Sequence, residues 1–341
     1  MKPKVVVTNW VHDAVLEKLR QSCAVVANPN REPWPAETLR AHLKDADGVI
    51  VFMPDKIDAE VLRAAPKLKM VSCCLKGFDN FDIDACTERG VLVTILPDLL
   101  TEPGAELAIG TMIASGRHML SADSYIRRGE FKGWRPRFYG KSLAESTIGI
   151  LGFGAVGQSI AERLAGFRSK VIYWDKRKFD RPTEKRLGAS YSEFNDVISK
   201  SDFLVLALSL TSETRHIIDA EQLSRMKEGS ILINFARGSL VDEAAVAKAL
   251  EVGPIGFFAA DVFEFEDWAL PDRPKDIHPA LLAQSDRTLF TPHLGSAVTR
   301  VREEMALQSA ENIIAFFEGR LPNGALNAVA VLGVNAGTAD A

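Results

Sequence analysis

The chain has 341 residues, of which 47% are hydrophobic and 25% are charged, and its formal net charge is −4. This composition is typical of a globular protein, and the length favours two domains over a single core. Because the net charge is small and both signs are scattered along the chain, nothing in it favours nucleic acid or an anionic membrane as a partner, and we expect a small-molecule substrate.

The N-terminal stretch MKPKVVVTNWVHD contains two lysines but only a short apolar run. We therefore expect a first strand there, and neither a signal peptide nor a membrane anchor. The four cysteines show neither C-x-x-C spacing nor the density of a disulfide scaffold, which indicates a reducing, cytoplasmic location. The six histidines contain no pair with metal-ligand spacing, so we expect no metal.

Short β-branched runs alternate with segments of helical periodicity along the chain. The first strands are predicted at VVVT, GVIVF near 48–52, MVSCC near 70–74 and VLVTIL near 91–96. A long amphipathic stretch, ELAIGTMIASGRHMLSADSYIRRGEF, follows as a predicted helix. A second series of strands is predicted at TIGILG, KVIYW, FLVLAL, SILIN, FFAADV and TLFTP. This alternation predicts parallel sheets covered by helices.

Two such series predict two Rossmann-like α/β domains with parallel sheets, one flavodoxin-like and one doubly wound. We place the first domain in residues 1–98 and the second in residues 99–296. The last helical segment cannot join the second sheet by simple order, so we expect residues 297–330 to return to the first domain as part of a substrate-binding domain. A cleft between the two domains would then bind the ligand.

The strongest local motif is TIGILGFGAVGQSIAERLAGF, in which a strand leads into Gly152, Gly154 and Gly157 and then into a helix. Glycines at this spacing permit a tight turn, close approach of backbone amides to a pyrophosphate and close helix packing. Asp175 ends the next strand, where a carboxylate binds the adenosine ribose and disfavours a 2′-phosphate. The motif predicts NAD. NADP is a weaker alternative because Lys176 begins a basic run, whose positive charge would attract a 2′-phosphate. The structural explanation for this run is a solvated loop with no role in binding.

Polar side chains follow three predicted strands of the second series. Arg237 follows SILIN, Asp261 ends FFAADV with Glu266 beyond it, and His293 follows TLFTP. Because parallel strands end at one edge of a sheet, we expect a cationic anchor, a carboxylate and an imidazole to meet there, as hydride transfer coupled to proton transfer requires. Taken singly, each has a structural explanation: an ion-pairing arginine, one acid of the run EFED, or a packed loop histidine.

These motifs, in the order G-x-G-x-x-G, Asp, NFARGSLVDE, FEFED and TPHLGS, resemble the D-2-hydroxyacid dehydrogenase family over nearly the whole chain. The blocks FMPD, LKGFDNFD, PDLLT, GWRPRFYG, FEFEDWALPDRP and FTPHLGSAVTRVR resemble in particular its phosphite (phosphonate) dehydrogenases. The resemblance implies NAD-dependent oxidation of phosphite to phosphate. It also implies a homodimer built through an arm at about 102–145.

The same resemblance implies roles for individual residues. His293 matches the acid/base, Glu266 its paired carboxylate, and Arg237 the arginine that fixes the substrate. The residues implied in the substrate pocket are Lys76, Gly77, Arg302, Leu100, Met53, Trp134 and Tyr139. Those implied in cofactor binding are Gly152, Gly154, Ala155, Val156, Gly157, Asp175, Lys176, Leu208, Thr214, Ala236, Asp261, at the nicotinamide amide, and Ser296.

Two positions depart from the family pattern. Gly104 stands where the family usually carries serine or threonine near the nicotinamide, and Ser209 stands where proline is usual. The first departure removes one hydroxyl contact to the cofactor, and neither removes a catalytic group.

Lys76 gives the phosphite interpretation a physical basis. Phosphite is largely a dianion near neutral pH, and its second charge leaves water at high cost unless another cation meets it. Lys76, added to Arg237 and Arg302, would supply that cation as a point charge. The alternative for Lys76 is a surface lysine that only aids solubility.

Two other functions remain open. One is a conventional 2-hydroxyacid dehydrogenase, a glyoxylate or hydroxypyruvate reductase, in which Lys76 only broadens carboxylate binding. The other is an NAD-sensing binding protein that acts through partners. Its signature would be an exposed peptide groove, and the sequence shows no sign of one.

Overall fold

The computed structural model describes residues 1–329, which form two compact units. Unit 1 contains residues 1–100, 268–271 and the described residues from Ala297 onward. Unit 2 contains residues 101–267 and 272–296. Ala330, the last residue of the range predicted for the first domain, lies outside the described residues.

Unit 1 begins as an alternation of strands and helices. Its strands are β1 (Lys4–Val7), β2 (Ala24–Ala27), β3 (Gly48–Val51), β4 (Met70–Cys73) and β5 (Leu92–Thr94). The helices between them are α1 (Asp13–Ser22), α2 (Ala36–Leu43), α3 (Ala59–Ala64) and α4 (Ile83–Glu88). Within the described chain these strands form one parallel sheet in the order β2-β1-β3-β4-β5. All residues of β3 and β4 are buried, as expected for a parallel sheet covered on both faces.

Unit 2 is a larger structure of the same kind. Its helices are α5 (Thr101–Gly116), α6 (Met119–Arg127), α7 (Ala155–Leu164), α8 (Arg181–Leu187), α9 (Phe194–Lys200), α10 (Ala220–Arg225), α11 (Glu243–Val252) and α12 (Pro279–Leu282). Its strands are β6 (Thr147–Leu151), β7 (Lys170–Trp174), β8 (Ala189–Tyr191), β9 (Phe203–Leu206), β10 (Ser230–Asn234), β11 (Ile255–Ala260) and β12 (Thr288–Phe290). Three short 3-10 helices span Ala165–Phe167, Gly238–Leu240 and Glu264–Glu266.

The strands of unit 2 form a parallel sheet in the order β12-β11-β10-β9-β6-β7-β8. The strand order reverses between β6 and β9, since β7 lies on one side of β6 and β9 on the other. Open α/β sheets bind ligands at such a reversal, outside the carboxyl ends of the strands. The prediction of two parallel-sheet, Rossmann-like α/β domains is confirmed.

The last described helix, α13 (Thr299–Phe317), belongs to unit 1. It packs against α1, β3 and β4. Ser72 donates its hydroxyl to the Ser309 carbonyl at 3.0 Å, and the Asn312 amide donates to the Thr94 hydroxyl at 3.3 Å. These buried polar contacts fix the register of α13 on the sheet.

The amphipathic stretch predicted as one long helix forms two. α5 ends at Gly116 and α6 begins at Met119, because His118 between them adopts a left-handed backbone with φ 52°. A Cβ at Gly116 would lie 2.9 Å from the ring of Phe203, so the end of α5 fits closely against the sheet. Among residues 1–329, no helix is both long enough and apolar enough to cross a membrane.

Asp55 is a buried carboxyl in the turn after β3. It accepts the Phe52 N–H at 2.7 Å and the Thr8 hydroxyl. Burial nevertheless raises the pKa of Asp55 from 3.8 to about 6. An unfolded aspartate ionises near pH 4, so this group's contribution to stability is complete below that pH and declines as the pH rises to about 6.

Asp55→Asn should therefore stabilise the protein above pH 6 and not near pH 4. The raised pKa sets an upper limit of about 3 kcal/mol on the gain, at about 1.4 kcal/mol per pH unit. Urea unfolding at about pH 8 and about pH 4 measures both free energies. The exposed Asp45→Asn, which removes an ion pair to Lys4, is the control and should give no gain at pH 8. A gain of equal size at both pH values would contradict the assignment.

Candidate active site

His293 lies in the loop after β12, where its backbone is left-handed with φ 55°. Its N–H donates to the Asp261 carbonyl at 2.9 Å. The Asp261 carboxylate accepts the N–H groups of Leu294 at 2.6 Å and Gly295 at 2.8 Å, and also the Thr291 hydroxyl. Asp261, at the end of β11, therefore shapes the loop that carries His293.

The imidazole of His293 is paired with a carboxylate. Its Nδ1 lies 2.9 Å from Glu266 Oε2, and the other oxygen of Glu266 accepts the Phe263 N–H at 2.9 Å. The side chains of His293 and Glu266 are 30% and 20% exposed. A carboxylate at this distance orients the ring, which leaves Nε2 to exchange a proton with a bound substrate.

Arg237 lies just beyond β10. The Asn234 side chain shapes this turn: its amide donates to the Arg237 carbonyl at 2.8 Å, and its oxygen accepts the Ala236 N–H at 3.2 Å. The Arg237 side chain is half-buried, and its Nη1 donates to the Ala236 carbonyl at 2.8 Å. Because β10, β11 and β12 are parallel neighbours, Arg237, Glu266 and His293 follow the same edge of the unit 2 sheet.

The glycine-rich turn lies at the reversal of strand order, after β6. Gly152 has φ 92°, and a Cβ there would meet the Ala207 carbonyl oxygen at 2.5 Å. A Cβ at Gly157 would lie 2.3 Å from the Gly152 carbonyl oxygen. A Cβ at Gly154, by contrast, would meet nothing within 4 Å. The chain's own packing requires the first and third glycines, whereas the second leaves open space at the start of α7, which fits a pyrophosphate.

Asp175 ends the next strand and supports this turn. Its Oδ2 accepts the Phe153 N–H at 2.7 Å and its Oδ1 accepts the Arg177 N–H at 3.0 Å. Lys176 forms an exposed ion pair with Glu213, so its charge is partly compensated. Residues that follow Asp175 in the sequence line an open pocket. Its lining residues are Gln158, Arg177, Lys178, Phe179, Asp180, Thr183 and Arg186.

The other residues predicted to bind the cofactor also lie in unit 2. Ala155 and Val156 open α7, and Leu208 and Ala236 pack at the rim of a core cluster. Thr214 is buried and donates its hydroxyl to the Ser209 carbonyl at 2.7 Å, which fixes the loop after β9. Ser296 and Asp261 complete the set of residues predicted to bind the cofactor, and both are buried. The Asp261 carboxylate holds the loop that carries His293.

The residues predicted to bind the substrate are divided between the units. Lys76 and Gly77 are half-buried just beyond β4. Burial lowers the pKa of Lys76, and nearby Asp98 opposes that shift. Cys74, at the start of this segment, packs in the same core cluster as Val301, so the lysine and the first turns of α13 lie in one region of unit 1.

The remaining five residues differ widely in exposure. Arg302 is exposed in α13, Leu100 packs against the unit 1 core, and the Met53 carbonyl accepts the Asn80 amide at 2.8 Å. Trp134 and Tyr139 belong to unit 2, and each is 78% exposed. The structure thus pairs Glu266 with His293, places Arg237 at the same edge of the unit 2 sheet, and places five of the residues predicted to bind the substrate in unit 1.

Sequence reasoning missed a second histidine–carboxylate pair in this part of unit 2. His216 Nε2 lies 2.9 Å from Glu264 Oε2. His216 follows neither a predicted strand nor a recognisable motif, and Glu264 is one of several acids in the run EFED. Their pairing depends on how β9, β10 and β11 are arranged, so no local pattern in the sequence indicates it.

Comparison with known proteins identifies what the chain is similar to. The family described as D-isomer specific 2-hydroxyacid dehydrogenase, NAD binding domain, matches residues 109–295. A glyoxylate reductase of Pyrococcus furiosus is 38% identical over 332 residues, which cover 96% of each chain.

Two solved structures extend the comparison. A protein from Thermus thermophilus is 32% identical with a TM-score of 0.85, over 95% of this chain and 100% of that one. An NADPH-dependent glyoxylate/hydroxypyruvate reductase from Sinorhizobium meliloti, in complex with NADP and malonate, is 27% identical with a TM-score of 0.82, over 97% and 98% of the two chains.

His293→Asn should abolish detectable turnover, a loss of at least about 10²-fold, because the amide that replaces the imidazole cannot exchange a proton at this pH. Asparagine tolerates the left-handed backbone of this position, so the fold and NAD binding should persist. Steady-state NADH kinetics and NAD titration by fluorescence measure the two effects, with His42→Asn as the control. A turnover within a few-fold of the parent would remove His293 from the mechanism.

Asp175→Ala should raise the NADP/NAD specificity ratio by about tenfold or more, since removing one charge repulsion of about 1.4 kcal/mol has that effect. NAD affinity should fall as well, because Asp175 supports the glycine turn. Glu213→Gln releases Lys176 and should raise NADP use while leaving NAD use nearly constant. Ratios of kcat/KM for both cofactors test this, and an unchanged ratio in Asp175→Ala would show that the carboxylate does not face the ribose.

Proposed function

The chain belongs to the D-isomer specific 2-hydroxyacid dehydrogenase family, and from that premise we propose that it reduces a small 2-oxo acid such as glyoxylate with NADH. Oxidation of phosphite is the second candidate. The observation that carries both is the His293–Glu266 pair, 2.9 Å apart, at the sheet edge that also bears Arg237. The names of the relatives favour glyoxylate, and the half-buried Lys76 favours phosphite.

The residues of unit 2 have complementary tasks in this reaction. The Arg237 guanidinium binds the substrate carboxylate, for which its planar fork is suited. The His293 imidazolium donates a proton from Nε2 to the carbonyl oxygen as the alcohol forms, and it takes that proton back in the reverse reaction. Glu266 stabilises the charged ring and keeps it oriented.

The nicotinamide cofactor supplies the hydride for reduction and accepts it in oxidation. Gly152, Gly154 and Gly157 would hold its pyrophosphate at the start of α7, and Asp175 would hold the adenosine ribose. NAD is the cofactor that the family's binding domain uses. The named relatives reported above are reductases, so we favour catalysis over sensing.

In the second candidate reaction, phosphite and water give phosphate. His293 would remove a proton as water attacks phosphorus, while the hydride of the P–H bond goes to the cofactor. Lys76 and Arg302 would meet the second negative charge of the substrate. Burial lowers the pKa of Lys76, so this ammonium is already partly removed from water and gains strongly from a dianion.

We further propose that the protein is a homodimer. The segment after α6 carries large apolar side chains at the surface of a single chain: Phe131 is 52% exposed, and Trp134 and Tyr139 are 78% exposed. Several large apolar side chains exposed within one short segment are typical of a protein–protein contact. A second copy of the chain would cover them.

Assays of NADH consumption with glyoxylate and hydroxypyruvate, and of NADH formation with phosphite, separate the two candidates. For phosphite, Lys76→Ala should lower kcat/KM at least tenfold, chiefly through KM, because a charge-assisted contact worth about 2 kcal/mol or more is lost. For glyoxylate, which carries one charge, the loss should be smaller. Lys56→Ala, which breaks a surface pair to Asp58, is the control.

A parent enzyme inert with phosphite would eliminate the second candidate, and one inert with every 2-oxo acid would eliminate the first. Unaltered phosphite kinetics in Lys76→Ala would assign this lysine to the surface.

A further inference from the structure

The second imidazole–carboxylate pair adjoins the first through the backbone. Glu264, which lies 2.9 Å from His216, opens the 3-10 helix Glu264–Glu266, and that helix ends at the partner of His293. Glu264 is only 9% exposed and takes no part in the proposed proton transfer. Since a buried carboxylate requires hydrogen-bond partners, those partners show what it holds in place.

Glu264 and Glu243 hold each other by reciprocal hydrogen bonds. Glu264 Oε1 accepts the Glu243 N–H at 3.0 Å, and the Glu264 N–H donates to Glu243 Oε1 at 2.8 Å. The other oxygen of Glu243 accepts the His278 N–H at 3.0 Å. Glu243 is the first residue of α11, where the helix dipole favours a negative charge. The two glutamates thus join the 3-10 helix to the starts of α11 and α12.

A second set of contacts joins the same 3-10 helix to the segment after β10. The Asp267 carboxylate accepts the Ser239 N–H at 2.6 Å, and the His216 N–H donates to the Ser239 carbonyl at 2.7 Å. A Cβ at Gly238 would lie 1.9 Å from the Phe263 carbonyl carbon, so the two segments touch without space between them. The substrate arginine precedes Gly238, and its position depends on the same contacts.

We propose that Glu264 is a positioning residue, whose carboxylate, held by His216 and by the first N–H of α11, keeps Glu266 within hydrogen-bonding range of His293. A 3-10 helix of three residues has little stability of its own, so contacts from neighbouring elements set its place. Displacement of a catalytic group by about 1 Å can cost about 10²-fold in rate. The inference rests on the proposed use of His293 as acid/base and holds for either substrate.

Other charged groups surround the site and must stay constant in the test. Arg273 donates to the Phe265 carbonyl at 2.8 Å, and the pKa of Arg215 is raised by its hydrogen bond to Asp272 and by the charges of Glu264 and Asp267. Burial raises the pKa of Glu243, and the charge of Glu264 adds to that shift. The titratable and charged side chains that these contacts in the described chain place around the 3-10 helix include those of His216, Glu243, Asp267, His278, Arg215, Asp272, Arg273, Arg237 and Asp261, together with the pair Glu266 and His293.

The test measures kcat, KM and the pH dependence of turnover for Glu264→Ala, together with an NMR titration of the His293 ring in the enzyme without substrate. A loosened Glu266 stabilises the imidazolium less. The acidic limb of the oxidation rate and the midpoint of the ring titration should therefore move to lower pH by about half a unit or more, the equivalent of about 0.7 kcal/mol. The kcat should fall about tenfold with little change in KM.

Three further variants separate positioning from general stability. Glu264→Gln keeps the length of the side chain and one oxygen that can accept the Glu243 N–H. It should therefore retain kcat within about threefold of the parent, so that the conservative change rescues the loss seen in Glu264→Ala. Asp202→Asn alters a carboxylate at the opposite edge of the sheet, where it accepts the Thr147 N–H at 2.8 Å. It should lower the melting temperature without moving the titration. His216→Ala, at a partly exposed position, should shift both readouts in the same direction by less.

A folded Glu264→Ala enzyme with the parent's titration midpoint and kcat would overturn the proposal, as would an equal shift in Asp202→Asn. If Glu264→Ala does not fold, an unchanged His216→Ala overturns it instead. The NMR titration requires no turnover, so a wrong substrate assignment leaves this test intact.

Discussion

The hydrogen bond between His293 and Glu266 is the interaction on which the proposed chemistry of this protein depends. An imidazole exchanges protons near neutral pH even without a partner, so the fold has to control the orientation of the ring, and the carboxylate at 2.9 Å provides that control. The two side chains come from separate loops, after β11 and after β12, and each loop has its own means of support. Asp261 shapes the loop that carries His293. The contacts between Glu264 and Glu243 anchor the 3-10 helix that carries Glu266. The pair is therefore a product of tertiary structure.

The sheet of unit 2 places these loops and the cofactor turn at a common edge. Parallel strands end together, so side chains from positions far apart in the sequence become neighbours. The tight turn after β6 requires Gly152 and Gly157 for the chain's own packing, whereas Gly154 leaves space. Asp175 supports that turn through the Phe153 N–H. One carboxylate therefore serves both the fold and the proposed ribose contact, which explains why we expect its removal to affect both cofactors.

The sequence predicts the buried strands well and the exposed strands poorly, for a physical reason. β3, β4 and β9 are buried throughout and appear as continuous apolar runs. The two strands that were not predicted, β2 and β8, each end a sheet and are partly exposed, so their apolar pattern is weak. The strands at the opposite ends, β5 and β12, are largely buried and were predicted. The break before His118 has only a weak sequence signal, because one glycine, Gly116, inside a long helical pattern does not by itself end a helix. The left-handed backbone of His118 is seen only in the structure.

The position of Arg237, Glu266 and His293 at one sheet edge was predictable from the sequence because each of them follows a strand, which is a local signal. The residues that support it were not, since Glu243 and Glu264 meet only after β11 has joined the sheet. The choice between glyoxylate and phosphite depends on how many positive charges surround a small anion. The same fold can serve either substrate, so assays with each substrate decide between them.

The most direct test of the central claim compares the two directions of the reaction in the parent enzyme. A proton carried by His293 must be absent for oxidation and present for reduction. If His293 is the acid/base, kcat/KM falls at low pH in oxidation and at high pH in reduction, because the same imidazole must change its protonation state between the two directions. Profiles that fall on the same side in both directions, or that show no such limb, would contradict this assignment.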